Sequence, residues 1–78
     1  MEKYQISSNH KLKLEKIGAL MKEYRLAEGW TQQMLSEYAN LHRNTVIRAE
    51  NAKNISLLTF LEIADTLDIR LSDIFNND

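Results

Sequence analysis

The hydrophobic positions along the chain recur at the spacing of α-helices. Within residues 14–24 the apolar side chains fall three or four positions apart, as they do on the buried face of a helix. Ser8 is a residue type that caps helix N-termini, and Gly29 can adopt the left-handed conformation that often ends a helix. We therefore predict a first helix over residues 10–28, preceded by a flexible or partly ordered arm of residues 1–9.

Two shorter helices are predicted next. Thr31 is a capping residue, and the flanking Trp30 and Leu35 occupy the positions of a hydrophobic staple, which fixes how the chain enters a helix. Asn40 tolerates the left-handed conformation better than most residues and marks the end of that helix. A second short amphipathic segment follows at once. The two predicted helices span residues 32–39 and 43–50.

The last third of the chain continues the helical pattern after a polar loop at residues 51–54. Ser56 is placed to cap a fourth helix. The apolar face of this helix comprises Leu57, Phe60, Leu61, Ala64 and Leu67. A final apolar cluster predicts a short fifth helix or turn, and residues 76–78 form a polar end. The whole pattern predicts an all-α, compact five-helix domain over residues 10–75, without internal repeats or a second domain.

The composition supports a small helical domain and excludes several ways of stabilising it. The chain has 78 residues, no cysteine, no proline and two glycines, so disulfides and cysteine-based zinc sites are excluded. A domain of this size buries only about 60–65% of its extended-chain surface. A well-packed helical core, oligomerisation or both must therefore supply its stability. No apolar run reaches the roughly 20 residues of a membrane span, and the N-terminus lacks the apolar stretch of a signal peptide, so we expect a cytoplasmic protein.

The net charge of −1 conceals a gradient along the chain. Residues 1–55 carry nine Lys or Arg against six Asp or Glu, whereas residues 56–78 carry one against five. A basic N-terminal part and an acidic C-terminal part are compatible with a polyanionic partner bound to one face of the protein. An ordinary scatter of surface charge explains the same numbers equally well, so charge alone does not decide the function.

The second and third predicted helices, with the short turn between them, form a helix-turn-helix candidate. The turn is Asn40-Leu41-His42, and Asn40 supplies its unusual backbone conformation. Ser36 is small at the point where the two helices must approach closely. An ordinary helical hairpin can use similar residues, so this pattern needs support from the rest of the chain.

Motifs distributed over all five predicted helices supply that support. They are Arg25, Gly29, Thr31-Gln32-Gln33-Met34-Leu35, Val46, Ala49-Glu50-Asn51, the segment from Ser56 to Leu67, and Leu71-Ser72-Asp73-Ile74-Phe75. At this spacing the chain resembles the helix-turn-helix domain of phage repressors and Cro proteins, often called the XRE family. The resemblance implies a lambda-repressor-like fold with helices 2 and 3 as the helix-turn-helix. It also implies sequence-specific binding of double-stranded DNA through the major groove.

The chain departs from the family pattern mainly at its turns. Asn40, Ala52 and Asp68 replace common glycines, His42 replaces the usual Ser- or Thr-like cap of the recognition helix, and Ile55 stands where proline is frequent. Because alanine adopts a positive φ only at a cost, we expect the loop after helix 3 to differ from that of relatives. His42 leaves the start of helix 3 open.

The third predicted helix carries the residues expected to contact bases. Recognition helices present long polar side chains to base edges from one end, and Arg and Asn can bridge the edges of guanine and adenine, respectively. The candidates are Arg43, Asn44, Thr45, Ile47 and Arg48. Ile47 either contacts a thymine methyl group or is simply an exposed apolar residue. Without the surrounding pattern, a solvated helix face would be the simpler interpretation of the polar candidates.

A second group of residues is expected to contact the phosphate backbone, which positions a protein without determining sequence. By analogy with the family, Gln32 contacts a phosphate or supports the recognition helix, and the helix dipole favours a phosphate beside Thr31. The loop after helix 3 is expected to run beside the backbone, although Lys53 alone is equally typical of plain surface. The candidate backbone contacts are Thr31, Gln32, His42, Asn51, Lys53 and Asn54.

Two further expectations concern the architecture. The resemblance implies an ion pair between Arg25 and Glu50, which would connect helix 1 to the recognition helix; the alternative is two unrelated surface charges. The surplus of apolar residues near the C-terminal end predicts a homodimer through Leu71, Ile74 and Phe75, with help from helix 4. The alternative is that these side chains only close the core of the monomer.

The sequence therefore predicts a transcriptional regulator without enzymatic activity. It is expected to bind double-stranded DNA as a dimeric repressor of a palindromic operator, and both a phage-type repressor and a restriction–modification controller remain open. The alternative is an antitoxin or another helical module whose main task is to bind a partner protein such as a toxin. His10 and His42 lack nearby ligand partners in the sequence, so neither a metal nor another cofactor is expected.

Overall fold

Residues 8–75 fold into five α-helices, as the sequence pattern predicts. The computed structural model describes residues 8–75, with the backbone only for Phe75. The helices are α1 (Ser8–Ala27), α2 (Gln32–Ala39), α3 (Arg43–Glu50), α4 (Leu57–Thr66) and α5 (Leu71–Phe75). No strand occurs within residues 8–75, so the predicted all-α class is confirmed.

The observed bounds of α2 and α3 agree with the predicted ones. Helix α1 begins at Ser8, two residues before the predicted start, so Ser8 and Asn9 belong to the helix rather than to an arm. These first side chains are exposed, so the helix extends there without adding to the core. The rest of the predicted arm, residues 1–7, and the predicted polar end, residues 76–78, lie outside the described residues.

The core lies where α1 to α4 meet. Met21 of α1, Leu35 of α2 and Val46 of α3 are almost completely buried and belong to one cluster. Burying a side chain of this kind stabilises a protein by about 1.5–3 kcal/mol. The complete cluster comprises Met21, Leu35, Ala39, Val46, Ala49, Ile63, Ala64, Leu67 and Ile69. Because isolated helices as short as α2 and α3 are marginal in water, their stability depends on this core.

Side-chain caps determine where α2 and α4 begin. The Oγ1 atom of Thr31 accepts a hydrogen bond from the amide of Met34 at 3.0 Å, and Oγ of Ser56 accepts one from the amide of Thr59 at 3.0 Å. Each bond satisfies an amide that the start of a helix leaves without an intrahelical partner. In α2 the amide of Thr31 in turn donates to the sulfur of Met34 at 3.5 Å, in the place usually taken by the Glu or Gln of a capping box.

Four residues with positive φ form the corners that follow α1 to α4. They are Gly29 (77°), Asn40 (59°), Ala52 (63°) and Asp68 (58°). At each corner the next residue donates its amide to the carbonyl oxygen five positions earlier, over 2.8–3.2 Å. This is the hydrogen bond of a Schellman cap, so the same backbone arrangement ends all four helices.

Ala52 in the loop after α3 adopts the left-handed conformation, with a φ of 63°, in spite of its Cβ. The expected difference from the loop of relatives stays a prediction. The amide of Lys53 donates to the carbonyl of Arg48 at 2.9 Å, and the amide of Ala52 donates to that of Ala49 at 3.3 Å. These bonds, and the packing of Ile55 against the core just beyond them, offset a steric cost of about 1–2 kcal/mol for a residue with a Cβ.

Replacing Ala52 with glycine is therefore expected to raise the free energy of unfolding by about 0.5–1 kcal/mol, because it relieves the steric cost and removes no hydrogen bond. The matched control is Gly29→Ala. Apart from its two chain neighbours, no described residue has an atom within 4 Å of the position that a Cβ would take there, so only the backbone conformation is tested. Thermal unfolding should show a higher midpoint for Ala52→Gly and a lower one for Gly29→Ala. Equal midpoints for both variants and the wild type would contradict a strained corner at Ala52.

Candidate nucleic-acid interface

Helix α3 buries one side in the core and leaves the opposite side open. Helical spacing places Arg43, Asn44, Ile47 and Arg48 on the open side. Arg43 and Asn44 are exposed in the first turn, at the end from which a recognition helix contacts bases. Ile47 is half-buried on the same side, and Thr45 is half-buried at its edge. The predicted base contacts therefore share one surface, with Thr45 as its least accessible member.

The side chain of Arg48 is tied to the loop that follows α3. Its Nη2 atom donates to the carbonyl oxygen of Asn54 at 3.0 Å. The same loop exposes Asn51 and Lys53, both predicted to contact phosphates. The structure thus places the guanidinium of Arg48 with the predicted backbone contacts rather than at the first turn of α3.

His42 caps the start of α3. Its Nδ1 atom accepts a hydrogen bond from the amide of Asn44 at 3.0 Å, which is the kind of bond that a Ser or Thr cap makes through its hydroxyl. The helix consequently begins at Arg43, and the absence of Ser or Thr does not shift it. The ring itself is exposed beside Arg43 and Asn44.

An open groove separates α2 from the start of α3. It is lined by Gln33, Ser36, Glu37, Leu41, His42, Arg43 and Asn44. Ser36 is 1% exposed, and its hydroxyl donates to the carbonyl of Gln33 at 2.6 Å. A small side chain with a satisfied hydroxyl lets the two helices approach closely, as predicted for this position.

Glu37 is a candidate for the interface that the sequence pattern did not identify. Its carboxylate lies in this groove and accepts a hydrogen bond from Nε2 of Gln33 at 2.9 Å. A carboxylate in the major groove can accept from the amino group of cytosine. Only the i, i+4 spacing of Gln33 and Glu37 is visible in the sequence. This spacing does not reveal that this face of α2 lies beside the start of α3.

Behind the open side, the last residue of α3 is bound to α1. The carboxylate of Glu50 accepts from Nε of Arg25 at 2.7 Å and from Nη2 at 3.1 Å, which makes the pair bidentate. The two side chains are 7% (Arg25) and 2% (Glu50) exposed. The third nitrogen of Arg25, Nη1, donates to the carbonyl of Trp30 at 2.8 Å. The structure therefore brings together the two residues that the resemblance pairs, as a buried link between α1 and α3.

Gln32 belongs to the same network. Its Nε2 atom donates to Oε1 of Glu50 at 3.0 Å. Contact with a phosphate and support of α3 were the two roles expected for Gln32, and this bond supports α3. Thr31 beside it is exposed, with Oγ1 engaged as the cap of α2. Within residues 8–74 no buried side-chain nitrogen or oxygen lacks a hydrogen-bond partner, so the network around Glu50 is complete.

Helices α1 and α3 also approach closely at Gly18, a position that apolar spacing did not single out. A Cβ at Gly18 would lie 2.8 Å from the carbonyl oxygens of both Ala49 and Glu50. Any larger residue would push the backbones of the two helices apart, because a packed interior has no space for it. An isolated glycine inside a helical pattern is the signal that could have identified this contact.

The ion pair also changes the charge that α3 presents. Glu50 is the only acidic residue of α3, and Arg25 neutralises it in the interior. The open side then carries the positive charges of Arg43 and Arg48, with Lys53 in the adjacent loop. Acidic side chains are exposed on α4, on α5 and at the corner between them, at Glu62, Asp65, Asp68 and Asp73. The charge gradient of the sequence thus places basic residues on α3 and the loop after it, and acidic residues on α4, α5 and the corner between them.

The residues predicted to form a dimer interface differ in their surroundings. Leu71 is 49% exposed, whereas Ile74 packs partly against the core of the monomer. The side chain of Phe75 lies outside the described part of the chain. Leu57 and Leu61, which spacing assigned to the inward face of α4, are exposed instead, because Ile63, Ala64 and Leu67 fill the core. We call the four accessible leucines of α4 and α5, which are Leu57, Leu58, Leu61 and Leu71, the exposed leucines.

A hydrogen bond attaches α5 to α1. The hydroxyl of Tyr24 donates to Oδ2 of Asp73 at 3.3 Å. The negative charge of Asp73 raises the pKa of Tyr24, so the hydroxyl keeps its proton at neutral pH and remains a donor. This bond helps to hold the short helix that carries Leu71.

Two other kinds of site are absent from the residues that the structure describes. Nowhere in this part of the chain do three His, Asp or Glu side chains come together in a way that could hold a metal ion. None of the described helices is long and apolar enough to cross a membrane. The open side of α3 and the groove beside it remain the principal candidates for a functional surface.

The chain is similar to a known protein family and to a solved structure. The model of a family described as helix-turn-helix matches residues 21–74. The crystal structure of the restriction-modification controller protein C.AhdI from Aeromonas hydrophila is similar to this chain, with a TM-score of 0.74 and 34% sequence identity, over 86% of this chain and 99% of that one. No curated protein matches the chain significantly. The family match includes all of α2, α3 and α4.

Removing either partner of the Arg25–Glu50 pair is expected to lower the free energy of unfolding by about 3–5 kcal/mol, because the remaining charge would be buried without its counterion. Arg25→Met and Glu50→Leu should each show this loss in chemical denaturation. The double variant should recover much of it, because no charge is then stranded. Recovery should be incomplete, since the Gln32 amide and the Trp30 carbonyl also lose a partner.

The matched control is the surface pair Arg70–Asp73, in which the nitrogen–oxygen distance is 3.8 Å and Arg70 is 80% exposed. Arg70→Met should change the free energy of unfolding by less than about 1 kcal/mol. If the losses at Arg25 and Glu50 are equally small and simply additive, the pair does not support α3.

Proposed function

The chain belongs to the helix-turn-helix family, and from this premise we propose that it is a homodimeric repressor of a palindromic operator. As a member of the family it is a DNA-binding transcriptional regulator and not an enzyme. The observation that carries the proposal is the exposure of Arg43 and Asn44 at the first turn of a helix whose other end is held by a buried ion pair.

We assign base recognition to the first turn of α3. In a helix-turn-helix protein the second helix of the motif lies in the major groove, with its N-terminal residues at the base edges. Arg43 is suited to guanine through O6 and N7, and Asn44 to adenine through N6 and N7. Ile47 lies about one turn further on the same side, where it can contact a thymine methyl group. Thr45 at the edge of this surface adds a hydroxyl.

Phosphate contacts are assigned to the two flanks of the motif. On one flank, Arg48 and Lys53 supply positive charge, and Asn51 and Asn54 supply polar groups in the same loop. Because Arg48 donates a hydrogen bond to the carbonyl of Asn54, we assign it to contact with the DNA phosphates rather than with the bases. On the other flank, the start of α2 at Thr31 offers outward-pointing amides and the positive end of the helix dipole.

We propose a homodimer because four leucines are exposed on the C-terminal part of the domain. Leu57, Leu58 and Leu61 leave 71%, 67% and 43% of their surface open, and Leu71 leaves 49%. A twofold-symmetric dimer buries the same patch on both subunits, which a domain with a small core needs for stability. Such a dimer would place two α3 helices about 34 Å apart, the distance between successive major grooves on one side of DNA.

The similarity to a restriction-modification controller supports this type of regulator over a phage repressor. The chain matches C.AhdI over 99% of the length of that protein, and we propose that it controls genes of the same kind from the cytoplasm. An antitoxin would instead use the exposed leucines to bind a different protein. The homodimer covers these leucines without a second protein.

Selection of binding sites from random duplex DNA tests the proposal. The wild-type protein should select an inverted repeat whose half-site centres lie about one helical turn, or a multiple of it, apart. Arg43→Ala and Asn44→Ala should each relax the preference at particular base pairs of both half-sites. The loss of discrimination should be about 1–3 kcal/mol for each bidentate contact.

Lys53→Ala is the control for these variants. It should weaken binding to all sequences alike, while the selected consensus stays the same. The slope of the logarithm of the affinity against the logarithm of the salt concentration should become shallower by about one. If the consensus also stays the same in Arg43→Ala and Asn44→Ala, the assignment of base contacts is wrong. Selection of a single half-site would contradict the homodimer.

A further inference from the structure

We propose that His42 couples proton binding to DNA sequence discrimination. The inference rests on the proposed function, because it concerns how Arg43 and Asn44 are presented to bases. Its starting point is a hydrogen bond of the protein without DNA. Nδ1 of His42 accepts the amide proton of Asn44 over a nitrogen–nitrogen distance of 3.0 Å.

This hydrogen bond requires one protonation state of the ring. An imidazole nitrogen accepts a hydrogen bond only when it carries no proton, so the neutral ring must hold its proton on Nε2. An imidazolium carries protons on both nitrogens and cannot accept the amide proton of Asn44. The cap of α3 therefore exists with the neutral ring and is lost when the ring binds a second proton. The Ser or Thr usual in such a cap has no second state of this kind.

Charged groups face His42 from both helices of the motif. Arg43 follows it in α3, and the positive end of the α3 dipole is directed towards the ring. From α2, Glu37 lines the same groove. The other residues that line the groove are uncharged.

Loss of the cap affects the part of α3 that meets the bases. Arg43 and Asn44 form the first turn, and the backbone of Asn44 is the group that His42 holds. Without this bond the turn loses a constraint on the direction of both side chains. The added positive charge attracts every phosphate alike. Protonation should therefore lower the affinity for the selected site relative to unrelated DNA, while the affinity for unrelated DNA rises.

The test measures the ratio of the affinities for the selected duplex and a scrambled duplex by fluorescence anisotropy at constant ionic strength. In the wild type this ratio should fall roughly three- to tenfold between about pH 8 and pH 5.5, in line with the loss of an N-cap bond. In His42→Asn, whose amide oxygen can cap a helix but does not titrate, the ratio should be independent of pH. His10→Asn is the matched control and should keep the pH dependence of the wild type, because His10 lies in the first turn of α1.

Nuclear magnetic resonance of the protein without DNA supplies an independent measurement. The ring nitrogens of His42 should show the Nε2–H tautomer at about pH 8, and the amide signal of Asn44 should move as the ring titrates. The opposite tautomer, or an Asn44 amide insensitive to this titration, would overturn the inference whatever the DNA result. A pH-independent affinity ratio in a wild-type protein that discriminates its site would also overturn it. Equal affinity for both duplexes at every pH would instead overturn the proposed function, and the coupling with it.

Discussion

The orientation of α3 depends on the contact between Arg25 and Glu50. Helix α3 has eight residues and is too short to be stable on its own, so its position is set by what it contacts. Removing two charges from water costs several kcal/mol per ion. Here the cost is offset by a bidentate pair, by the carbonyl of Trp30 and by the amide of Gln32. Gly18 makes this possible because the absence of a side chain there lets α1 approach the end of α3.

This arrangement separates the residues that hold α3 from those that are available to DNA. Val46, Ala49 and Glu50 face the interior, whereas Arg43 and Asn44 face solvent. The exposed residues contribute little to packing, so they can change without loss of the fold. One framework can therefore present different recognition residues, which is how a common fold accommodates different targets.

The sequence was sufficient wherever the determining interactions are local. The bounds of α2 follow from Thr31, from the hydrophobic staple around it and from Asn40, all of which act within a few residues. The left-handed conformation of Ala52 could not be predicted from its steric preference, because hydrogen bonds close the corner around it. The contact at Gly18 and the place of Glu37 beside α3 were not predictable, because both depend on which helix faces meet. Leu57 and Leu61 were assigned to the core because helical spacing does not distinguish a core position from an exposed apolar one.

Amide hydrogen exchange tests most directly whether α3 is held by its own bond to α1 rather than by the general stability of the domain. In the wild type, the amides of residues 46–50 should exchange through global unfolding, as those of the core do. In Glu50→Gln, which keeps the shape of the side chain and removes its charge, these amides should exchange through a local opening of lower free energy. The core amides around Met21 and Ile63 should still follow global unfolding. If the amides of α3 and of the core lose protection by the same amount in this variant, the pair stabilises the whole domain and does not specifically position α3.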